Sequence, residues 1–369
     1  MSLKKTIHVL VVDDSSVVRR AISDALKRDP EIEVVGTAAN PYEARDKILE
    51  LKPDVLTLDI EMPRMDGLTF MRILQKHRPM PVVVVSSLTQ AGSRIALDVL
   101  EAGAVDVIAK PASAWGIGDL GTQLCQRVKG AAVASLNRPV AITTLQPPSL
   151  AESTRFNPRQ IILLGASTGG TEALKYILNR LPDGLPGICI VQHIPPVFSK
   201  AFADRLNETC AFEVREAASG DEVRPGLALV APGDYHMMVL WNNGGYRIVL
   251  NQSPPAHYTR PAVDMLFNSA AVCAGNHAVA ALLTGMGSDG ASGMLKLKAA
   301  GAMTFAQNEK TCVVYGMPRA AVELGAVNRI LPLDEIPDAL VHSVLTENKG
   351  NHSLNHLCRS QNISITNKI

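Results

Sequence analysis

Two groups of side chains in this 369-residue chain have the types and spacing for chemistry. The first is acidic. Asp13 and Asp14 end an apolar run that begins at Ile7, and Asp59 ends another that begins at Val55. Ser86 and Lys110 stand at the ends of two further runs. Crowded carboxylates repel one another unless a divalent cation neutralises them. Magnesium (Mg2+), which prefers oxygen ligands and keeps several waters, suits Asp13, Asp14 and Asp59. With that charge offset, Asp59 can act as a carboxylate nucleophile toward a phosphoryl donor, Lys110 can neutralise phosphoryl oxygens and Ser86 offers a hydroxyl. A single aspartate after a strand is commonly a helix cap, and Asp66 ahead of Gly67 reads that way. Five polar groups at four separate strand ends do not.

The second group starts at Gly165-Ala166-Ser167-Thr168-Gly169-Gly170, a glycine-rich turn after an apolar run. The glycines permit a sharp turn and a close approach of substrate, which lifts Ser167 to a helix N-terminus whose N–H groups can hold an oxyanion. A dinucleotide-binding loop is the competing interpretation, but that fingerprint needs glycine where Ser167 stands. A serine nucleophile needs a base, and the base needs a carboxylate to hold its tautomer. His193 follows the run Ile188–Gln192, and Asp289 follows the run Ala278–Leu283 through a glycine-rich turn. In isolation, His193 before Pro195-Pro196 is a structural histidine and Asp289 before Gly290 is a cap. His236, His257 and His277 are alternative bases, His236 the strongest of them because it follows the turn Pro232-Gly233-Asp234. The order Ser, His, Asp differs from that of the α/β-hydrolases.

The elements that must carry these groups follow from periodicity. Short β-branched runs at Ile7–Val12, Val34–Ala38, Val55–Leu58, Val82–Val85 and Val105–Ile108 alternate with helical spacing at Val17–Leu26, Pro41–Leu51, Leu68–His77 and Ala91–Glu101. Runs this apolar suit strands buried on both faces, so the spacing predicts a five-stranded parallel sheet covered by helices. Residues 126–156, rich in Ala, Pro, Ser and Thr, read as a linker. A second α/β pattern fills 157–346, with strands at Ile161–Leu164, Ile188–Gln192, Leu227–Val230 and Ala278–Leu283. Asn242-Asn243-Gly244-Gly245 marks a β-hairpin within it. Residues 347–369 read as a disordered tail. The expected fold class is therefore α/β: a small doubly wound domain over 6–125 and a mostly parallel α/β domain over 157–346.

Composition narrows the function classes. Hydrophobic residues make up 47% of the chain and charged residues 19%, which is globular, and the net charge of +1 recruits neither nucleic acid nor an acidic membrane surface. Six scattered cysteines without a CxxC pair fit a reduced, cytoplasmic protein. No apolar run reaches the length of a membrane span. Nothing demands more than a monomer.

The N-terminal pattern resembles a response-regulator receiver domain of flavodoxin-like fold over its whole length. The resemblance implies that Asp59 is the phosphoacceptor, that Asp13, Asp14 and the backbone carbonyl of Glu61 hold the metal, and that Ser86 and Lys110 support the phosphorylation site. The motifs around Ser167, His193 and Asp289 resemble the chemotaxis protein-glutamate methylesterases. So do Ala231-Pro232-Gly233, Arg260-Pro261 with Asp264, and Leu283-Thr284-Gly285-Met286-Gly287-Ser288-Asp289-Gly290. That resemblance ranks His193 above the other histidines. It implies a Ser167–His193–Asp289 esterase whose oxyanion is held by the backbone N–H groups of Met286 and Thr168, with no metal in the catalytic domain. It further implies methylated chemoreceptors as substrate, release of methanol, glutamine deamidation as a second activity, and a chemotaxis histidine kinase as phosphodonor. The rivals are the same esterase in another signalling pathway, a nucleotide-binding oxidoreductase, and a receiver-linked binding module without catalysis. A switch joined to an enzyme by a linker suggests that the unphosphorylated receiver covers the Ser167 crevice and that phosphorylation of Asp59 favours an open arrangement.

Overall fold

The computed structural model describes residues 6–87, 89–110, 117–135 and 156–345. The central part of the expected linker, 136–155, and the expected tail from 347 lie outside these residues.

In the N-terminal half, strands and helices alternate: β1 (Ile7–Val12), α1 (Ser16–Leu26), β2 (Ile32–Ala38), α2 (Pro41–Leu51), β3 (Val55–Asp59), α3 (Gly67–His77), β4 (Val82–Ser86), α4 (Gln90–Glu101), β5 (Asp106–Ala109) and α5 (Ile117–Ala132). The strands form one parallel sheet in the order β2-β1-β3-β4-β5. β3 and β4 are buried along their whole length, as their unbroken apolar runs require. Local chemistry sets the helix starts: Ser15, Asn40, Asp66 and Thr89 each accept a hydrogen bond from a first-turn N–H. Asp66 is thus the cap its sequence context suggests. Residues 126–132, expected to open the linker, are instead the last turns of α5. Val128 and Ala131 are fully buried there, so apolar contact keeps the helix going past the point where composition alone reads as linker.

The C-terminal half continues with β6 (Ile161–Ala166), α6 (Gly170–Leu178), β7 (Ile188–Gln192), α7 (Phe198–Asn207), β8 (Glu213–Glu216), β9 (Glu222–Val223), β10 (Leu227–Val230), β11 (His236–Asn242), β12 (Gly245–Asn251), α8 (Val263–Cys273), β13 (Ala278–Leu282), α9 (Ala291–Ala299), β14 (Met303–Gln307), α10 (Met317–Glu323), β15 (Arg329–Leu331) and α11 (Ile336–Val344). Seven strands make a parallel sheet in the order β15-β14-β13-β6-β7-β10-β8, while β11, β12 and β9 form a small antiparallel sheet. The hairpin at 242–245 is present, with Asn242 paired to Gly245. The edge strands β8 and β15 carry Glu213, Arg215, Glu216 and Arg329, whose charges hide them from an apolar-run criterion. β6 is central, with β7 on one side and β13 on the other. From β6 the chain adds β7, β10 and β8 on one side and then returns to add β13, β14 and β15 on the other, and such a reversal of strand order is the place where a doubly wound sheet opens a crevice at its carboxyl edge.

Candidate active site and phosphorylation pocket

In the N-terminal half, the carboxyl ends of β1, β3, β4 and β5 converge. Asp13 and Asp59 are buried, Asp14 is exposed, and one carboxylate oxygen from each lies within 4.8 Å of the others. Lys110 Nζ stands 3.0 Å from Asp13 Oδ2 and 2.8 Å from Asp59 Oδ2. Burial, and then the neighbouring Asp59, push the Asp13 carboxyl above the usual aspartate range. Burial opposes charge on Lys110, yet Asp59 and Asp13 hold its ammonium above the ordinary lysine value. Asp59 Oδ1 accepts the Glu61 N–H at 3.1 Å, which turns the chain sharply after β3. Ser86, fully buried at the end of β4, donates at 3.4 Å to the Gly92 carbonyl inside α4. An all-oxygen set of three clustered carboxylates fits a hard divalent cation of the kind receiver domains take.

In the second half, the crevice around β6 assembles the three sequence-selected groups. The Ser167 Oγ lies 3.1 Å from His193 Nδ1, and His193 Nε2 lies 2.7 Å from Asp289 Oδ2. Each of the three is at most 6% exposed. Because Asp289 accepts at Nε2, the tautomer it favours keeps hydrogen on Nε2 and leaves the Nδ1 lone pair facing the serine hydroxyl. Both Asp289 oxygens are further engaged: Oδ2 accepts the Val263 N–H (2.6 Å), and Oδ1 accepts the N–H groups of Asp264 and Gly290 (2.9 Å each). Burial works to raise the Asp289 carboxyl, but the His193 bond and these N–H donors outweigh it and hold it below the usual range. The Thr259 Oγ1 sits 3.3 Å from the same imidazole nitrogen.

Backbone approach explains two of the glycines. Gly169 adopts φ 76°, and a Cβ there would lie 2.4 Å from the Val313 side chain. At Gly285 a Cβ would meet Ser167 Cβ at 2.7 Å, so the β13 turn that carries Met286 can pass directly beside Ser167 only as glycine. The rival histidines are placed elsewhere. His236 is fully buried, with Nε2 on the Pro254 carbonyl and Nδ1 accepting the Ala262 N–H, and burial holds it below the ordinary imidazole value. His257 pairs with Asp264. His277 lies in the turn before β13.

The sequence suggested that the N-terminal half covers this crevice, but not which residues do so. Arg127 of α5 reaches into it: Nη1 is 3.4 Å from Ser167 Oγ and Nη2 donates at 3.1 Å to the His193 carbonyl. Nη1 also pairs at 2.6 Å with Asp106, at the start of β5, and Asp106 Oδ2 accepts the Thr168 hydroxyl at 2.5 Å. At Gly130 a Cβ would lie 3.5 Å from Met286 Cβ and 3.8 Å from Thr168 Oγ1, so α5 passes closely over both expected oxyanion residues. Leu124, Val128 and Ala131 share a buried cluster with Val313 and Val314. Alongside, Arg205 of α7 binds Asp98 (2.7 Å) and Glu101 (2.6 Å) of α4, and Lys175 of α6 pairs with Glu101. The only signal in the sequence is a charge, Asp106, at the head of an otherwise apolar strand, and it names no partner.

A receiver sheet with an acidic pocket, joined to a parallel α/β domain with a serine–histidine–aspartate chain, defines a response-regulator hydrolase. The family described as response regulator receiver domain matches residues 9–117, and that described as CheB methylesterase matches residues 162–340. A protein of Syntrophus aciditrophicus called protein-glutamate methylesterase/protein-glutamine glutaminase 2 is 51% identical over 92% of this chain and 99% of its own length. A Pseudomonas aeruginosa protein with the same designation is 49% identical over 94% of this chain and 99% of its own. The crystal structure of the Thermotoga maritima CheB methylesterase catalytic domain is 40% identical, covers 50% of this chain and 97% of that one, and superposes with a TM-score of 0.49. The chain belongs to the protein-glutamate methylesterase/protein-glutamine glutaminase family.

Proposed function

We propose that this chain hydrolyses the methyl esters of glutamate side chains on chemoreceptors, deamidates receptor glutamines at the same site, and is switched on by phosphorylation of Asp59. The observation that carries the hydrolytic reading is the buried chain of contacts from Ser167 through His193 to Asp289, at 3.1 and 2.7 Å. Ser167 Oγ attacks the ester carbonyl while His193 Nδ1 takes its proton, and Asp289 steadies the imidazolium through Nε2–H. The backbone N–H groups of Met286 and Thr168 receive the developing oxyanion. Collapse of the tetrahedral intermediate breaks the C–O bond, and methanol leaves with the proton that His193 returns. With a glutamine substrate the C–N bond breaks and ammonia leaves. Water then attacks the acyl-enzyme with His193 again as base, which restores Ser167 and frees the glutamate carboxylate.

In the receiver, Asp13, Asp14, Asp59 and the Glu61 carbonyl would hold magnesium, which when bound would offset the carboxylate charge at Asp59. Asp59 accepts the phosphoryl group from a chemotaxis histidine kinase, and Lys110 and Ser86 hold its oxygens. The site works in the cytoplasm, where kinase and receptor tails meet; among the described residues no helix is long and apolar enough to cross a membrane. Control follows from where the receiver rests. Arg127 and Asp106 occupy the crevice that a receptor side chain must enter. Ser86 and Lys110 end β4 and β5, and α4, β5 and α5 supply the contacts to the catalytic half. Lys110 already stands at Asp59, whereas Ser86 donates to the Gly92 carbonyl of α4, so movement of the Ser86 hydroxyl toward a phosphorylated Asp59 loosens the elements that close the site.

The deciding assay incubates the protein with radiomethyl-labelled receptor membranes, with and without a small phosphodonor, and measures released methanol. Release that rises with phosphodonor and vanishes in Ser167→Ala is the expected outcome. Release that persists in Ser167→Ala would overturn the mechanism, and hydrolysis of other esters with none from receptors would overturn the substrate.

A further inference from the structure

The turn 256–259 lies against the triad. Ala256 and Thr259 bond to each other, and the two residues between them, His257 and Tyr258, both take left-handed backbone conformations (φ 51° and 62°). Such geometry is unfavourable for residues with a Cβ and persists where the surroundings enforce it. The turn delivers His257, whose Nε2 lies 2.9 Å from Asp264 Oδ2 and 3.8 Å from Asp289 Oδ1. These are two buried carboxylates with an imidazole between them. Asp289 already has an N–H donor on every face described above, which fits hydrogen bonding better than a cation. Asp264 is the hinge of the arrangement. Its own N–H and that of Val263 grip Asp289, while its Oδ1 accepts the Gly293 N–H at 2.6 Å and ties the first turn of α8 to α9. The remaining Asp264 oxygen is held by His257.

We propose that His257 is a positioning residue of the hydrolytic site: by donating Nε2–H to Asp264 it completes a second histidine–carboxylate pair, which keeps the N-terminus of α8 aimed at Asp289 and Asp289 aligned on His193. This rests on the reading that Ser167, His193 and Asp289 act together. His257 does not reach the serine; it acts through Asp264 and the two N–H groups that grip Asp289. Misalignment of Asp289 lowers the quality of the base in the transition state without altering how substrate docks, so the effect belongs in kcat.

The full chain is assayed for methanol release from methylated receptor membranes under one phosphodonor condition, as wild type, His257→Ala, His257→Gln and Ser167→Ala. His257→Ala is expected to lower kcat about tenfold with KM unchanged, less than the roughly hundredfold that a misplacement of about 1 Å can cost, because His257 acts on Asp289 only through Asp264 and α8. Because the His257 side chain is 41% exposed, added imidazole can enter the vacated space and restores most of the rate. His257→Gln, which still offers an N–H to Asp264, keeps at least about half of kcat. The inference is overturned if His257→Ala keeps kcat within about twofold of wild type, if the change falls in KM, or if neither imidazole nor glutamine restores the rate. An active Ser167→Ala would instead sink the triad reading, whereas an inactive Ser167→Ala beside a fully active His257→Ala would remove the role of His257 alone.

Discussion

Arg127 tests whether the closed arrangement is what silences the enzyme. Its side chain is 13% exposed and spans the two halves, with Nη1 on Asp106 and near Ser167 Oγ, and Nη2 on the His193 carbonyl. The Asp106 bond lies within the receiver and survives opening, so only the contacts to the catalytic half count toward closure. A hydrogen bond from a charged donor contributes about 1.5–3 kcal/mol, and partial exposure puts Arg127 at the lower end. Each 1.4 kcal/mol is tenfold in an equilibrium. Arg127→Ala should therefore raise the methanol-release rate of the unphosphorylated protein about tenfold. The phosphorylated rate should stay within about twofold, because the open form has already lost these bonds. The substitution also leaves the Asp106 charge against the Thr168 hydroxyl without its partner, a further penalty on the closed form alone. Arg127→Lys keeps the charge but not the fork, and should fall between the two. An unphosphorylated Arg127→Ala with wild-type turnover would refute the claim that this side chain holds the site shut. An equal rise in the phosphorylated form would point to an effect on the chemistry.

The other expectations concern the two pockets. Asp289→Asn should lower kcat by about 10^4, by analogy with loss of the orienting carboxylate in serine proteases, measured with the phosphorylated protein. Asp289 is depressed in the folded state, so its contribution to stability is present above the unfolded value and is lost as pH falls through the lower folded value. Melting curves of Asp289→Asn should accordingly flatten relative to wild type below about pH 4, and parallel curves would contradict this. Asp13 is shifted the other way, mainly by burial and then by Asp59, so its ionisation costs stability that is lost as pH rises through the raised folded value and stays lost at pH 7. Asp13→Asn should melt higher than wild type without divalent cation. Magnesium at about 100 times its Kd should stabilise the wild-type receiver by about 2.7 kcal/mol and the variant far less; equal shifts would argue against Asp13 as a ligand.

The sequence by itself determined the alternation of buried strands and helices, because unbroken runs such as Val82–Val85 bury on both faces only in a covered parallel sheet. It determined which groups end those strands too, since glycines and aspartates at strand exits are local features. Ser167, His193 and Asp289 were legible for that reason. Their meeting was not legible in the periodicity: the family resemblance ranked His193 above His236, and the physical reason, β7 lying next to β6, is a fact of strand order that no local pattern encodes. The charged edge strands β8 and β15 and the end of α5 escaped because tertiary contact overrode their composition. Only the tertiary structure decided that Arg127 and Asp106 would close a crevice in the other half, and that His257 would sit between two buried carboxylates. Such contacts join residues as far apart in sequence as Asp106 and Thr168, and their energy comes from desolvated pairing that exists only once both surfaces have folded.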